Sequence, residues 1–469
     1  MAARYFNDGV LFMDAKLPDV AVAEHLARRI VMVDAGAIPT AARDKCEETL
    51  IDVAGLCLAA RNEDYVRSAL AGWDEDGPCT AIGHRRGLSA AGAAFVNGTA
   101  AHGEDFDDTF EGGPVHAGAV IVPAVLAVAE RHGIDGKAAL EGMAVGIEIM
   151  CRLGLVAPKM VHKAGFHPTA VFGAVGATAA VGKALRLSER QIVDAFGVVG
   201  SMASGIIEYL AEGTWTKRMH AGWAAQSGMR AALLARAGFS GPRTVFEGVH
   251  GLFHGFANTT AGDFAKLTEG FGSQWLTQTL AFKLYPCGTM THPYIDCARR
   301  LGARGIKADD IVEMVCDVGE GTVHRLWEPL AAKQRPNNGY AGKFSQPYCI
   351  AAGFLRGNVG LSDFSDAAVK EPAVVALASK VRYRIDPNNP YPNNFTGHIR
   401  ATLRDGSVVE ERQPHMRGGA HEPLTRKDIE DKFLLNARHG GYDAGGGAAA
   451  LKLVSGVFNG RIDLSPLRG

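Results

Sequence analysis

The sequence predicts a mainly α protein: a large all-helical domain, then a smaller α+β lid domain inserted before C-terminal helices that return to the first. Three observations carry this. Apolar residues recur at three- and four-residue spacing from about residue 18 to 265, β-rich segments appear only after about Thr268, and helical spacing resumes after "RGGAHEPLT". The boundaries fall at 1–267, 268–415 and 416–469.

In chain order, helical spacing marks Val20 to Ala35, Thr40 to Ala60, Ser89 to His102, Ile121 to His132, Gly136 to Leu153, Pro168 to Leu185, Ser188 to Tyr209 and Met219 to Ala237. Pro39-Thr40 and Leu187-Ser188-Glu189-Arg190 are start signals. Several segments, such as "AVFGAVGATAAVGKAL", carry Ala and Gly on more than one face, which lets helix backbones approach closely in a crowded core. The segments "VEMVCDVGEGTVHRLW", "KVRYRIDPNNP" and "GHIRATLRDGSVVEERQP" are β-rich, and Asp405-Gly406 between two alternating runs signals a hairpin. Helical stretches around Pro293 to Gly302 and Phe344 to Leu355 sit between them. Thr425 caps "RKDIEDKFLLNA", and a final helix lies near Ala448 to Asn459.

Length and composition agree with this plan. A chain of 469 residues exceeds one ordinary core, so two domains are expected. The net charge of -1, from 49 basic and 50 acidic residues, leaves no global field for nucleic acid or an anionic membrane. Eight cysteines (46, 57, 79, 151, 287, 297, 316 and 349) form no C-x-x-C pair, and "MAARYFNDGVLF" lacks a basic segment followed by an apolar run. A reduced, cytoplasmic protein without a secretory signal is therefore expected. The most apolar stretches, Ala117 to Glu130 and Thr169 to Leu185, are too short or too interrupted to span a bilayer.

Five segments carry potential chemistry. In "AHGEDFDDTFEGGPVHAG", residues 101 to 118, Asp105, Asp107 and Asp108 follow an apolar helix, and His116 begins the next. This stretch reads as a solvated helix end, as one wall of a pocket, or, through its D-D-x-x-E run, as an imitation of a magnesium site; no second acidic run supports the last. In "GFHPTA", Pro168 suits the first turn of a helix and puts His167 at its N-cap. In "EGTWTKRMHAGWAAQ", Lys217, Arg218 and His220 gather just before a buried helix, where the helix dipole disfavours cations unless an anion joins them. "KLYPCGTMTHPYID" contributes Lys283, and "GKFSQPY" contributes Tyr348 beside Ser345 and Gln346. A phosphate loop, a dinucleotide fingerprint, G-x-S-x-G and H-E-x-x-H are all missing, which argues against nucleotide-dependent and zinc-protease chemistry.

Taken in order, "HGEDFDDT", "GFHPTA", "EGTWTKRMHAGWAAQ", "KLYPCGTMTHPYID" and "KFSQPY" resemble the MmgE/PrpD family over nearly the whole chain. That family includes 2-methylcitrate dehydratase, cis-aconitate decarboxylase and iminodisuccinate epimerase. The resemblance implies a homodimer, a site between a helical domain and a lid, small di- or tricarboxylate substrates, and no metal or organic cofactor. Carried over by motif, Asp105, Thr109, His116, His167, Lys217, Lys283 and Tyr348 match pocket positions of the family. Decarboxylase-type members tend to carry a histidine a few residues after the lysine of the fourth motif, where this chain has Gly288.

The chemistry common to such enzymes makes or quenches a carbanion next to a carboxylate, which requires a base and nearby positive charge. The expected assignment has His167 and His116 as the acid–base pair, with Asp105, Lys217 and Tyr348 also catalytic. Lys283, Thr109, Arg218 and His220 are expected to bind substrate. A dehydratase-type lyase is the first expectation. An epimerase or racemase of an iminodisuccinate-like acid and a cis-aconitate-type decarboxylase are alternatives, as is a non-catalytic or metal-binding relative.

Overall fold

The structure, a computed structural model, describes residues 18–113 and 115–469. The N-terminal stretch in which no signal pattern was found and Pro114 lie outside the described residues. The eight helices expected in the first part of the chain are present, Thr40–Ala60 with both ends as expected and the others with shifted ends: Val22–Met32, Ala90–Gly103, Gly118–His132, Gly136–Val156, Pro168–Ala184, Glu189–Gly200 and Thr216–Arg236. Side-chain capping explains two of the starts, since Ser89 accepts from the Gly92 amide and Ser188 from that of Gln191. A short helix at Asp64–Ala71 escaped the sequence reading, and the expected run from Ser188 to Tyr209 breaks after Gly200.

Close helix packing follows from the glycines where backbones cross. A Cβ on Gly98 would sit 2.6 Å from the Gly222 Cα, and one on Gly222 would sit 2.0 Å from the Phe95 carbonyl oxygen. The helix Thr216–Arg236 therefore lies directly against Ala90–Gly103, and it packs along Pro168–Ala184 as well. This triple contact brings together the C-terminal end of one helix and the N-terminal ends of two others.

The helical body is not purely helical. It holds the ribbon Asp76–Thr80 with Gly87–Leu88, and Thr109–Phe110 pairs antiparallel with Leu280–Ala281. The remaining sheet has four strands in the order Val381–Ile385, Ile311–Val318, Gly397–Leu403, Val408–Gln413; the first pair is parallel and the others antiparallel. The expected hairpin is the last pair, with Gly406 at φ 82.

Buried apolar side chains form two cores. One draws on Ala23 to Phe282 and again on Leu424 to Leu467, and the other on Tyr285 to Ala401. Helix Arg426–His439 belongs to the first because Ile429, Phe433 and Ala437 repeat at four-residue spacing on one face, and the helix packs on Thr40–Ala60. Among the described residues, no helix is long and apolar enough to cross a membrane.

Candidate functional site

Three helix ends and one ribbon assemble the site. His102 comes from the last turn of Ala90–Gly103, His167 is the N-cap of Pro168–Ala184, and Lys217 and His220 lie in the first turns of Thr216–Arg236. Lys217 and Arg218 are thus inside that helix, not ahead of it, because it begins at Thr216 with Trp215 as its N-cap. The ribbon Thr109–Phe110 with Leu280–Ala281 delivers Lys283, whose Nζ donates to the Asp105 carbonyl at 2.9 Å.

Histidine rings form a continuous chain. Centroids are 5.1 Å apart for His116 and His102, 5.6 Å for His102 and His167, and 5.3 Å for His167 and His220. Nδ1 of His167 lies 3.2 Å from Nδ1 of His220, so one of the two carries the shared proton and donates it. His116 has its Nδ1 2.6 Å from the Asp108 carbonyl, which can only accept; Nδ1 therefore holds the proton and Nε2 keeps a lone pair. Its backbone amide donates to Thr169 Oγ1 at 3.2 Å, linking the first motif to the second.

The carboxylates divide by role. Asp105, at φ 54 in the left-handed region that Asp tolerates better than most residues, pairs with the Lys217 ammonium. Burial pushes its carboxyl up, but Lys217 and Lys283 outweigh burial and hold it far below the ordinary range. Asp107 receives His102 Nδ1 at 2.6 Å and has Oδ1 3.7 Å from His116 Nδ1; burial raises its carboxyl, but the hydrogen-bonded His102 together with the Lys283 charge outweighs burial and keeps it ionised. Asp108 instead accepts the amides of Ala117 and Gly118 at 3.0 and 2.8 Å, starting helix Gly118–His132. Burial, Asp107 and Asp52 push its carboxyl up to about 8. Glu111 accepts the Ala420 amide at 2.9 Å. The acidic run that resembled a magnesium motif therefore sends its three carboxylates to three different partners, and the described residues contain no group of three or more metal-type ligands.

Burial sets the charge state of the rings. It lowers His116 to about 3 and His220 to about 4, and presses His167 well below its ordinary value, so all three are neutral bases at pH 7. Lys217 stays charged because Asp105 more than offsets burial, whereas burial lowers Lys283 despite Asp105 and Asp107. Tyr209 joins this environment edge-on to His167 and His220, at 6.2 and 5.7 Å.

The structure brings together Asp105, His116, His167, Lys217, His220 and Lys283, with Thr109 beside them on the ribbon. Two expected residues sit elsewhere. Arg218 lies over the Tyr65 ring at 4.3 Å and pairs with Glu104 at 3.3 Å, on the far side of the Asp105 turn. Tyr348 is fully buried among second-core residues and gives its hydroxyl to the Asp363 carbonyl, which takes it out of the acid–base set. Tyr348→Phe is accordingly expected to keep turnover within about twofold while losing about 0.5–1.5 kcal/mol of stability, as checked by steady-state rates and urea unfolding. His102 and Asp107, which the structure places in this cluster, were not among the expected site residues. The first looks like an ordinary helix end in sequence, and the second is one of several aspartates with no local mark to separate it.

Asp107 sets up the next expectation. Its charge raises the His116 pKa against burial, so Asp107→Asn should lower that pKa further, move the acid limb of kcat/KM to lower pH, and weaken the base. The expected loss in kcat/KM is ~10-fold at pH 7, below the 10²- to 10⁴-fold of an acid–base group itself. An acid limb that stays in place would show that Asp107 does not tune the ring.

Comparison with known proteins gives the same frame. Residues 24–264 match the MmgE/PrpD N-terminal domain and residues 285–444 the MmgE/PrpD C-terminal domain. A cis-aconitate decarboxylase-like protein of Aspergillus oryzae is 27% identical over 440 residues, covering 89% of this chain and 90% of that protein. Proteins named cis-aconitate decarboxylase from Mus musculus and Homo sapiens are each 32% identical, covering 74% of this chain and 71% and 72% of their own.

Proposed function

Since the chain belongs to the MmgE/PrpD family, we propose that it is a lyase for a small di- or tricarboxylate, working by proton transfer at a carbon next to a carboxylate without an organic cofactor. The observation that carries this is the chain of four histidine rings, three of them held neutral by burial, beside two buried lysines and two buried aspartates. Lys217 and Lys283 supply positive charge for substrate carboxylates and for the oxygens on which carbanion charge develops. His116 Nε2 offers a lone pair, and the His167–His220 pair offers a mobile proton. A bound polyanion raises the pKa of nearby imidazoles and brings rings that burial has neutralised back towards neutral pH, where they exchange protons with carbon.

Loss of CO₂ is the first outcome proposed, and it reverses the order expected from sequence, because the relatives named above are cis-aconitate decarboxylases. In that reaction the C–CO₂ bond breaks, its electron pair remains on carbon, and a histidine N–H supplies the proton that quenches it. Dehydration is the second reading, favoured by Gly288 in place of a histidine. A Cβ at Gly288 would meet nothing closer than 3.5 Å, so packing does not demand glycine there. In dehydration an imidazole takes the proton next to the carboxylate, the hydroxyl leaves with a proton from a second ring, and no CO₂ is released.

Incubation in D₂O with citrate-, cis-aconitate-, succinate- and iminosuccinate-type acids, followed by NMR and a CO₂ assay, separates these outcomes. Decarboxylation gives CO₂ with deuterium at the new C–H bond, and dehydration gives an alkene without CO₂. Exchange at the substrate carbon with no net product marks an epimerase. A protein that neither exchanges nor transforms any of these acids overturns the proposal.

A further inference from the structure

A second ionic cluster stands behind Asp105 and ties the two cores together. Lys343, only 2 % exposed and in the segment that carries the second core, donates from Nζ to the Glu104 carbonyl at 2.7 Å and to the Glu104 carboxylate at 2.5 Å. Arg218 approaches the same carboxylate at 3.3 Å, and the Tyr65 hydroxyl donates to it at 3.1 Å. Tyr340, three residues before Lys343, lies 5.2 Å from the Arg218 guanidinium on its ring face. Burial raises the Glu104 carboxyl, but Lys343 and Arg218 overcome it and keep this carboxylate ionised.

The covalent neighbour of Glu104 is Asp105, the one residue of this turn at positive φ. From the other side, the Asp105 carbonyl is held by Lys283. The loop that follows Lys283 returns to Lys343, whose carbonyl accepts the Gly288 amide at 2.9 Å. Lys343 therefore grips both loops that place the Lys217–Asp105–Lys283 group: one through its ammonium and the other through its backbone.

We propose that Lys343 is a positioning residue: by clamping Glu104 it fixes the left-handed turn at Asp105, and through it the pairing of Asp105 with Lys217 and Lys283. This inference rests on the proton-transfer reading of the site for its kinetic consequence. Its structural consequence does not need that reading. Lys343 acts through Glu104 and Asp105, not by touching substrate.

The test compares wild type with Lys343→Met, Lys343→Arg and the near-isosteric Glu104→Gln, which carries the test if the methionine variant does not fold. Backbone hydrogen exchange is followed by mass spectrometry in a peptide covering residues 103–113, together with kcat and KM on whichever acid the wild type transforms. Expected for Lys343→Met and Glu104→Gln are about tenfold faster exchange in that peptide and a kcat lower by on the order of 10²-fold with KM within about twofold. Lys343→Arg, which keeps a donor, should recover most of both. Faster exchange with unchanged kcat would make Lys343 a brace only and overturn the proposal, and so would a lower kcat with wild-type exchange. If the wild type transforms none of the acids, the proposed reaction fails on its own account. Exchange then decides, and a wild-type rate in Lys343→Met overturns the role assigned to it.

Discussion

His167→Ala should retain its fold and lose about 10²- to 10⁴-fold in turnover, the range expected when a positioned acid–base group is removed. The ring is central in the chain of histidines: it stacks on His102 at an interplanar angle of 25° and shares an Nδ1 contact with His220. Its backbone is anchored independently, because the His167 amide donates to the Gly205 carbonyl at 2.8 Å and Pro168 starts the helix behind it. The scaffold thus survives loss of the side chain. Far-UV circular dichroism should be unchanged, and added imidazole should restore part of the rate, since it returns a proton carrier to the space left by the ring. Turnover within about threefold of wild type would remove His167 from the mechanism.

What the sequence made legible was what repeats. Helix Thr40–Ala60 appears with both ends as expected, and the Asp405-Gly406 hairpin was announced by a turn between two alternating runs. Elements without period or cap were invisible. Thr109–Phe110 and Leu280–Ala281 are two residues long each, too short for alternation, yet their pairing is what carries Lys283 to Asp105. The site followed the same division. His167 was placed correctly at an N-cap because Pro168 marks a first turn, whereas His102 faces Asp107 only because a chain reversal after Gly103 folds the aspartate back onto the helix end. Lys343 lies 239 residues from Glu104, and no local spacing reveals such a partner. Tyr348 shows the reverse case: a polar residue in a suggestive motif whose hydroxyl proton goes to the Asp363 carbonyl inside the second core.

The heaviest single change should be Lys217→Met. Lys217 and Asp105 form an ion pair with side chains only 11% and 5% exposed, and Asp105 keeps its charge chiefly because this ammonium is present. Removing one partner of a buried pair leaves an uncompensated charge and costs about 3–5 kcal/mol. It also removes positive charge from the place where carbanion charge must be stabilised, worth about 10²- to 10³-fold in turnover. The two effects separate in the double variant. Lys217→Met with Asp105→Asn removes both charges of the pair, with Asp107 still facing Lys283, and should regain most of the lost stability in urea unfolding, while turnover stays low. If the double variant recovered activity along with stability, Lys217 would serve the fold alone. Recovery of stability without activity is the result expected of a lysine whose charge is used by the reaction.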